Sequence, residues 1–245
     1  LSYLYPAIDQ WPLYAINGET IFGSHLLLAF LFVALITWIN YVGVQNSIRF
    51  QVYLTVVFLL IVLAVGVMGF WEGQVSNLQP LFAKGADKTV ISGVIAVFAT
   101  VPFWLVGFDT IPQGAEEAKD SVNPRMIGIL ILVSIVAAVL FYILLIFSTS
   151  MVTDWSSIVG SDLFTAEAFE SAFQSKFLVN SILIAILIGL LTSWNGFFLA
   201  GSRVLFAMGR GKIIAPPLGR SHQKYKTPYY AVLFSGAITF ISALL

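Results

Sequence analysis

The sequence predicts an all-α, multi-pass membrane protein, and three observations carry that prediction. Hydrophobic residues make up 59% of the 245 and charged residues only 10%, with a mean hydropathy of +0.93; soluble domains carry about 25% charged residues. Apolar runs recur at 21–43, 50–71, 90–115, 126–150 and 177–207, and a sixth opens at Tyr229. Each reaches or exceeds the roughly 20 residues a helix requires to cross hydrocarbon, apart from the last, which ends with the sequence. Basic residues, finally, crowd the loops on one side of these runs.

Strands do not fit the runs, because a spanning barrel shows short alternating segments and these are apolar on every face. Hydrocarbon offers the backbone no partners, so each span closes its own hydrogen bonds as a helix. The chain reads as a single transmembrane domain, 1–245, with helices at about 21–43, 50–71, 90–119, 125–150, 177–208 and 229–245. A mixed opening without an initiator Met and an apolar run to the last residue lead us to expect an internal piece of a longer protein. Zero net charge gives no reason to expect nucleic acid as a partner. With no cysteine, disulfides, thiolate catalysis and Cys-ligated metals are excluded. His25 and His222 lie too far apart for a local metal motif. We expect no resident cofactor or metal; the lipid bilayer is the expected surrounding, and oligomeric state is left open.

Alternating the spans sets the loops 44–49, 116–125 and 209–228 on one side. That side carries Arg49, Lys119, Arg125, Arg210, Lys212, Arg220, Lys224 and Lys226, with Arg203 at a helix end, against Lys84, Lys88 and Lys176 opposite. The positive-inside rule makes it cytoplasmic, and the expected location is the plasma membrane, or the inner membrane if the source is bacterial. In the outer loop 151–176, Thr165 can cap a short helix with Glu167 and Glu170 near its positive end. Phe169 and Phe173 would share one face of it. The alternative is a solvated loop with two stray aromatics.

The third span is unusual: Val101-Pro102-Phe103-Trp104-Leu105-Val106-Gly107-Phe108-Asp109-Thr110-Ile111-Pro112. Proline removes a backbone donor and clashes with the preceding turn, and glycine tolerates extended or left-handed geometry. Together they predict a helix broken near the membrane middle, where freed carbonyls and amides must find protein, water or ligand. Transporters build midplane sites on such discontinuous helices. Asp109 is the one acid expected at depth, and a carboxylate there faces a cavity or a partner. It either caps the second half-helix or handles substrate or protons, and both roles can coexist. Phe103 and Trp104 could stack on a substrate. Further on, Glu116 and Glu117 are either a solvated loop or, with the basic residues of that side, ion pairs of an inner gate; Pro124 suits the first turn of the next helix.

These residues resemble a known family. Gly107-Phe108-Asp109, Ala115-Glu116-Glu117 and Asn123-Pro124-Arg125 are similar to the sixth-helix signature of the amino acid–polyamine–organocation transporters. Gly43-Val44-Gln45-Asn46-Ser47 with Gln51 and Thr55 resembles their junction of helices four and five. Ser202-Arg203, Phe206-Ala207-Met208 and the stretch from His222 to Pro228 resemble the close of helix eight and the start of helix nine. The resemblance implies helices four to nine of a five-plus-five inverted repeat, with the start of the chain ending helix three, and secondary transport of amino acids or related amines. It implies that the carbonyls of Phe103, Trp104 and Val106 face the substrate amino group, with Gly107, Phe108 and Asp109 completing that side. Phe103 would take the gating position, and Glu116, Glu117, Arg125 and Arg203 the intracellular gate. Several sodium-independent members place a lysine three residues after the threonine matching Thr55. Here that residue is Phe58, which leaves room for sodium as an alternative to proton coupling. Thr192 and Ser193 could supply oxygens to such an ion or could be helix-packing hydroxyls. The rival to a transporter is a channel, since a broken helix can also line a pore. An enzyme is not expected, because Asp109 has no acid partner and Ser202 no nearby histidine.

Overall fold

The computed structural model describes residues 3–16, 18–81, 89–108, 110–113, 123–161 and 163–244, without the side chains of Val44, Gln113 and Pro124. Among these residues run α1 (Gly23–Val42), α2 (Val44–Glu72), α3 (Val90–Trp104), α4 (Thr110–Gln113), α5 (Pro124–Val152), α6 (Trp155–Ile158), α7 (Phe164–Phe173), α8 (Lys176–Arg210) and α9 (Tyr229–Ser242). Helices α1, α2, α5 and α8 are long and apolar enough to cross a membrane, and α3 and α9 are apolar but shorter. The chain divides into two compact units, Leu1–Leu54 with Leu191–Leu245, and Thr55–Leu190.

In the first unit a hairpin precedes α1, formed by β1 (Pro12–Ile16) and antiparallel β2 (Glu19–Phe22). It lies outside the apolar runs apart from its last two residues. Its signal, the Asn-Gly pair at 17–18, is a two-residue turn sequence that a reading by apolar runs passes over. Gly18 supplies the turn with φ +90°. Asp9 pairs with His25 Nε2 at 2.9 Å, which anchors the entry to α1. Helix α1 packs on α9 through stacked Phe30 and Phe240 rings 4.1 Å apart and through buried Ile36 and Val232, which meet Phe198 of α8.

The expected loop 44–49 is helix instead. The Gly43 carbonyl accepts the amides of Asn46 and Ser47 at 3.1 and 3.3 Å, so α2 starts directly after α1 and Arg49 rides on it. Beyond α8, a short 3-10 turn at Pro216–Gly219 lies backbone to backbone against Gly209, where a Cβ on either glycine would overlap the facing main chain. His222 then closes a tight loop. Its amide donates to the Thr227 carbonyl at 2.7 Å, and its Nδ1 accepts the amides of Lys224 and Tyr225. Buried Thr227 ties this loop to the end of α1 by donating to the Tyr41 carbonyl at 2.8 Å.

The second unit is built on a glycine face of α2. A Cβ on Gly66 would lie 2.9 Å from Leu144, one on Gly69 would overlap Ser148 Oγ, and one on Gly73 would stand 2.6 Å from Met151. Glycines at this spacing share one side of a helix and let two backbones approach closely, the packing that works where water supplies no driving force. The end of α5 is closed from outside the helix: the Met151 carbonyl accepts the Gln74 amide and Asn77 Nδ2 at 2.9 and 2.8 Å.

The segment 151–176 holds a short amphipathic helix, α7, as expected, but Thr165 does not cap it. Leu163 occupies the cap position without a side-chain bond, and Thr165 sits inside the first turn with Glu167. Phe169 is fully buried, stacked on Phe173 at 5.5 Å, and its Cζ stands 3.0 Å from where a Gly69 Cβ would be. The helix is thus packed into the α2–α5 seam through its aromatic face. At α6, Asp154 accepts the Ser156 amide and hydroxyl at 2.9 and 2.8 Å, and these bonds hold its carboxyl below the usual carboxylate range.

Candidate functional site: the broken helix α3–α4

Helix α3 starts on a reciprocal cap. Thr89 Oγ1 accepts the Ser92 amide at 3.1 Å, and Ser92 Oγ accepts the Thr89 amide at 2.9 Å. Pro102 lies within the helix, two residues before its end, where it withholds an amide from the preceding turn. The Leu105 amide still reaches the Val101 carbonyl at 3.0 Å, and there the helix stops. Residues 105–108 turn, with Gly107 at φ +121°, a conformation that side chains rarely adopt. The Gly107 carbonyl then starts the second half: it accepts the Thr110 amide at 3.1 Å and the Thr110 hydroxyl at 2.6 Å. The break predicted from Pro102, Gly107 and Pro112 is therefore at the glycine, and Pro102 and Pro112 both lie inside helical turns.

Phe103 is 75% exposed and Trp104 59%, their rings edge to face at 5.6 Å; Val106 and Phe108 are exposed as well. Asp109, Glu116 and Glu117 lie outside the described residues. Against the break stands α5. Tyr142 Oη donates to the Trp104 carbonyl at 2.9 Å. Between the two segments is a cavity of about 290 Å³ whose walls include Trp104, Gly107, Phe108, Ser134, Phe141 and Tyr142. Of the three carbonyls expected to face a substrate, that of Trp104 already has one donor. Tyr142 was missed in the sequence, although a phenol in an apolar helix is itself a signal, since its hydroxyl requires a partner when buried.

The ion-site and gate residues have different settings. Thr192 and Ser193 follow one another on the continuous helix α8, Thr192 at 8% exposure and Ser193 exposed, so they do not share a face. The Thr192 carbonyl accepts Gln51 Nε2 at 3.0 Å. Arg125 is exposed at the start of α5, where Asn123 accepts its amide at 2.9 Å and Pro124 takes the first position, as its sequence suggests. Arg203 is buried at 8% exposure on α8. The two arginines belong to different units.

Around Thr192 lies a polar cluster that joins Ser47 and Gln51 of the helix-junction motif to two asparagines that sequence reading did not single out. Asn195, 1% exposed, accepts Asn40 Nδ2 at 3.0 Å and Ser47 Oγ at 3.3 Å on its Oδ1, and donates through Nδ2 to Gln51 Oε1 at 2.9 Å. Asn40 also donates to the Ile36 carbonyl at 2.9 Å. The signal was available: Asn40 and Asn195 interrupt long apolar spans, and buried amides in such helices bond across to neighbours.

The amino-acid permease family model, described as "Amino acid permease", matches residues 2–245. The chain is 29% identical over 211 residues to the branched-chain amino acid permease BcaP of Bacillus subtilis, covering 86% of this chain and 44% of that protein. It is 30% identical over 226 residues to the chloroplastic cationic amino acid transporter 7 of Arabidopsis thaliana, with 89% and 37% covered. To the chloroplastic cationic amino acid transporter 9 of the same plant it is 32% identical over 224 residues, with 89% and 38% covered. The chain thus spans less than half the length of each of these relatives.

Proposed function

The chain belongs to the amino acid permease family, and from that premise we propose that the protein carrying it moves amino acids or related amines across a membrane by alternating access. The observation that carries the proposal is the break in the apolar helix at residues 105–108. A helix end leaves carbonyls without intrahelical partners and with partial negative charge, which suits a substrate ammonium. Phe103, Trp104, Val106, Gly107 and Phe108 surround that end, and Asp109 follows directly. A pair of half-helices around a midplane site is the arrangement that rocking of one bundle against another can open to either side. The similar proteins are named permeases and transporters, which supports a carrier over an enzyme.

In this reading the loop around 209–228 and the charged segment 116–125 face the cytoplasm. Glu116 and Glu117 with Arg125 and Arg203 form the inner gate, and Na+ or H+ supplies the driving force. Thr192 contributes to an ion site only with oxygens from elsewhere, since the neighbouring Ser193 does not share its face. The membrane is the plasma membrane, although two of the similar plant proteins are named chloroplastic.

The test is uptake by the full-length protein in proteoliposomes. Saturable uptake with counterflow is expected, and Asp109→Asn should reduce it while leaving the amount of folded protein unchanged. Flux that rises linearly without saturation would instead mean a channel. Replacing sodium at constant pH, against collapsing the pH gradient at constant sodium, identifies the coupling ion.

A further inference from the structure

The role of α5 is not covered by the reading above. Tyr142 donates to the Trp104 carbonyl at 2.9 Å, the last carbonyl of α3 before the chain turns away. The phenol is held in place from behind. Its ring meets Phe141 edge to face at 5.8 Å, and Phe141 packs on Phe58 of α2 at 5.5 Å. Phe58 in turn fills the space over Gly189 of α8, where a Cβ would stand 3.2 Å from its ring. An aromatic brace across three long helices therefore fixes the height and direction of one hydroxyl at the broken helix. Groups held by such elements position a site more tightly than groups on loops.

A carbonyl oxygen has two acceptor sites, so the Trp104 oxygen retains capacity for a second donor beside the cavity of about 290 Å³. We infer that Tyr142 is a positioning residue of the substrate site: its hydroxyl orients the Trp104 carbonyl so that the remaining lone pair receives the ammonium of the substrate. The inference rests on the transport reading and adds to it a residue on α5. Without the hydroxyl, the end of α3 is free to rotate that carbonyl away, and affinity falls while the rocking step is untouched.

The experiment measures uptake by the full-length protein of a radiolabelled panel of proteinogenic amino acids, then compares Tyr142→Phe with the wild type on the substrate taken up best. Tyr142→Phe keeps the ring and its packing on Phe141, so folding is preserved; melting temperature and reconstituted amount check this. The expected result is a rise in KM of about threefold to thirteenfold, the upper part of the range of one neutral hydrogen bond, with Vmax within about twofold. Incorporating 4-aminophenylalanine at position 142, which returns an N–H donor to the same place, should restore most of the affinity. An unchanged KM in Tyr142→Phe overturns the inference. So does a fall in Vmax alone, or a failure of the amino analogue to restore KM in a protein that folds. Uptake of no amino acid by the wild type would overturn the transport reading itself, a result distinct from any of these.

Discussion

Asn195 shows how a single side chain organises one unit. It is 1% exposed, and its amide joins Asn40 of α1 with Ser47 and Gln51 of α2. In an apolar interior each of these groups costs free energy if left unpaired, about 1–3 kcal/mol. Asn195→Ala removes both ends of the amide at once and strands Gln51 Oε1, while Asn40 Nδ2 keeps only the Ile36 carbonyl. We expect a loss of about 1–3 kcal/mol, read as a lower melting temperature of the full-length protein in detergent. Equal melting of wild type and Asn195→Ala would mean that water replaces the amide without penalty. Gly107 acts at the same scale: its φ of +121° belongs to glycine, so the turn between α3 and α4 depends on the absence of a side chain.

At the scale of elements, helix lengths follow from apolar run lengths, but helix contacts follow from where side chains are missing. Gly66 and Gly69 on α2 and Gly73 directly after it lie at intervals of three and four, and each meets a different residue of α5. Gly69 is the tightest, closed in by Ser148 and by the fully buried Phe169 of α7. Gly69→Val should therefore force α2 and α5 apart and displace α7, a cost of about 1–3 kcal/mol from overpacking. The measurement is melting temperature beside Gly128→Val, where nothing stands within 4 Å of a Cβ and a much smaller change is expected. The same packing explains α7 itself. Its amphipathic pattern was legible, since Phe169 and Phe173 fall on one face, yet the seam that receives them is formed with α2, which is remote in sequence.

For the molecule as a whole, charge placement decides orientation. Lys212 and the basic residues after it lie between α8 and α9, and Ser157 lies in the segment between α5 and α8; both are exposed. The chain has no cysteine, so a single introduced thiol reports its own side of the membrane. In intact cells a membrane-impermeant maleimide should label Ser157→Cys in the full-length protein, and should label Lys212→Cys only after permeabilisation. The opposite pattern would reverse the topology derived from the positive-inside rule.

The sequence by itself determined the fold class, the spans and the place where one span breaks. These depend on local quantities: about 20 apolar residues cross a bilayer as helix, and glycine and proline act on the backbone of their own turn. It also carried the family signature, through motifs in order along the chain. It did not determine that 44–49 is helix, that Leu163 rather than Thr165 takes the cap position of α7, or that a hairpin precedes α1. There the outcome hung on a few hydrogen bonds at a boundary, made by Gly43 at the first and by the β1–β2 pairing at the last. The tertiary structure alone decided what meets the broken helix. Trp104 and Tyr142 are separated by 38 positions in sequence, and Asn40 and Asn195 by 155. Such partners are selected when packing brings helices together, because a buried polar group bonds to whichever neighbour the glycine faces and aromatic contacts have placed within reach.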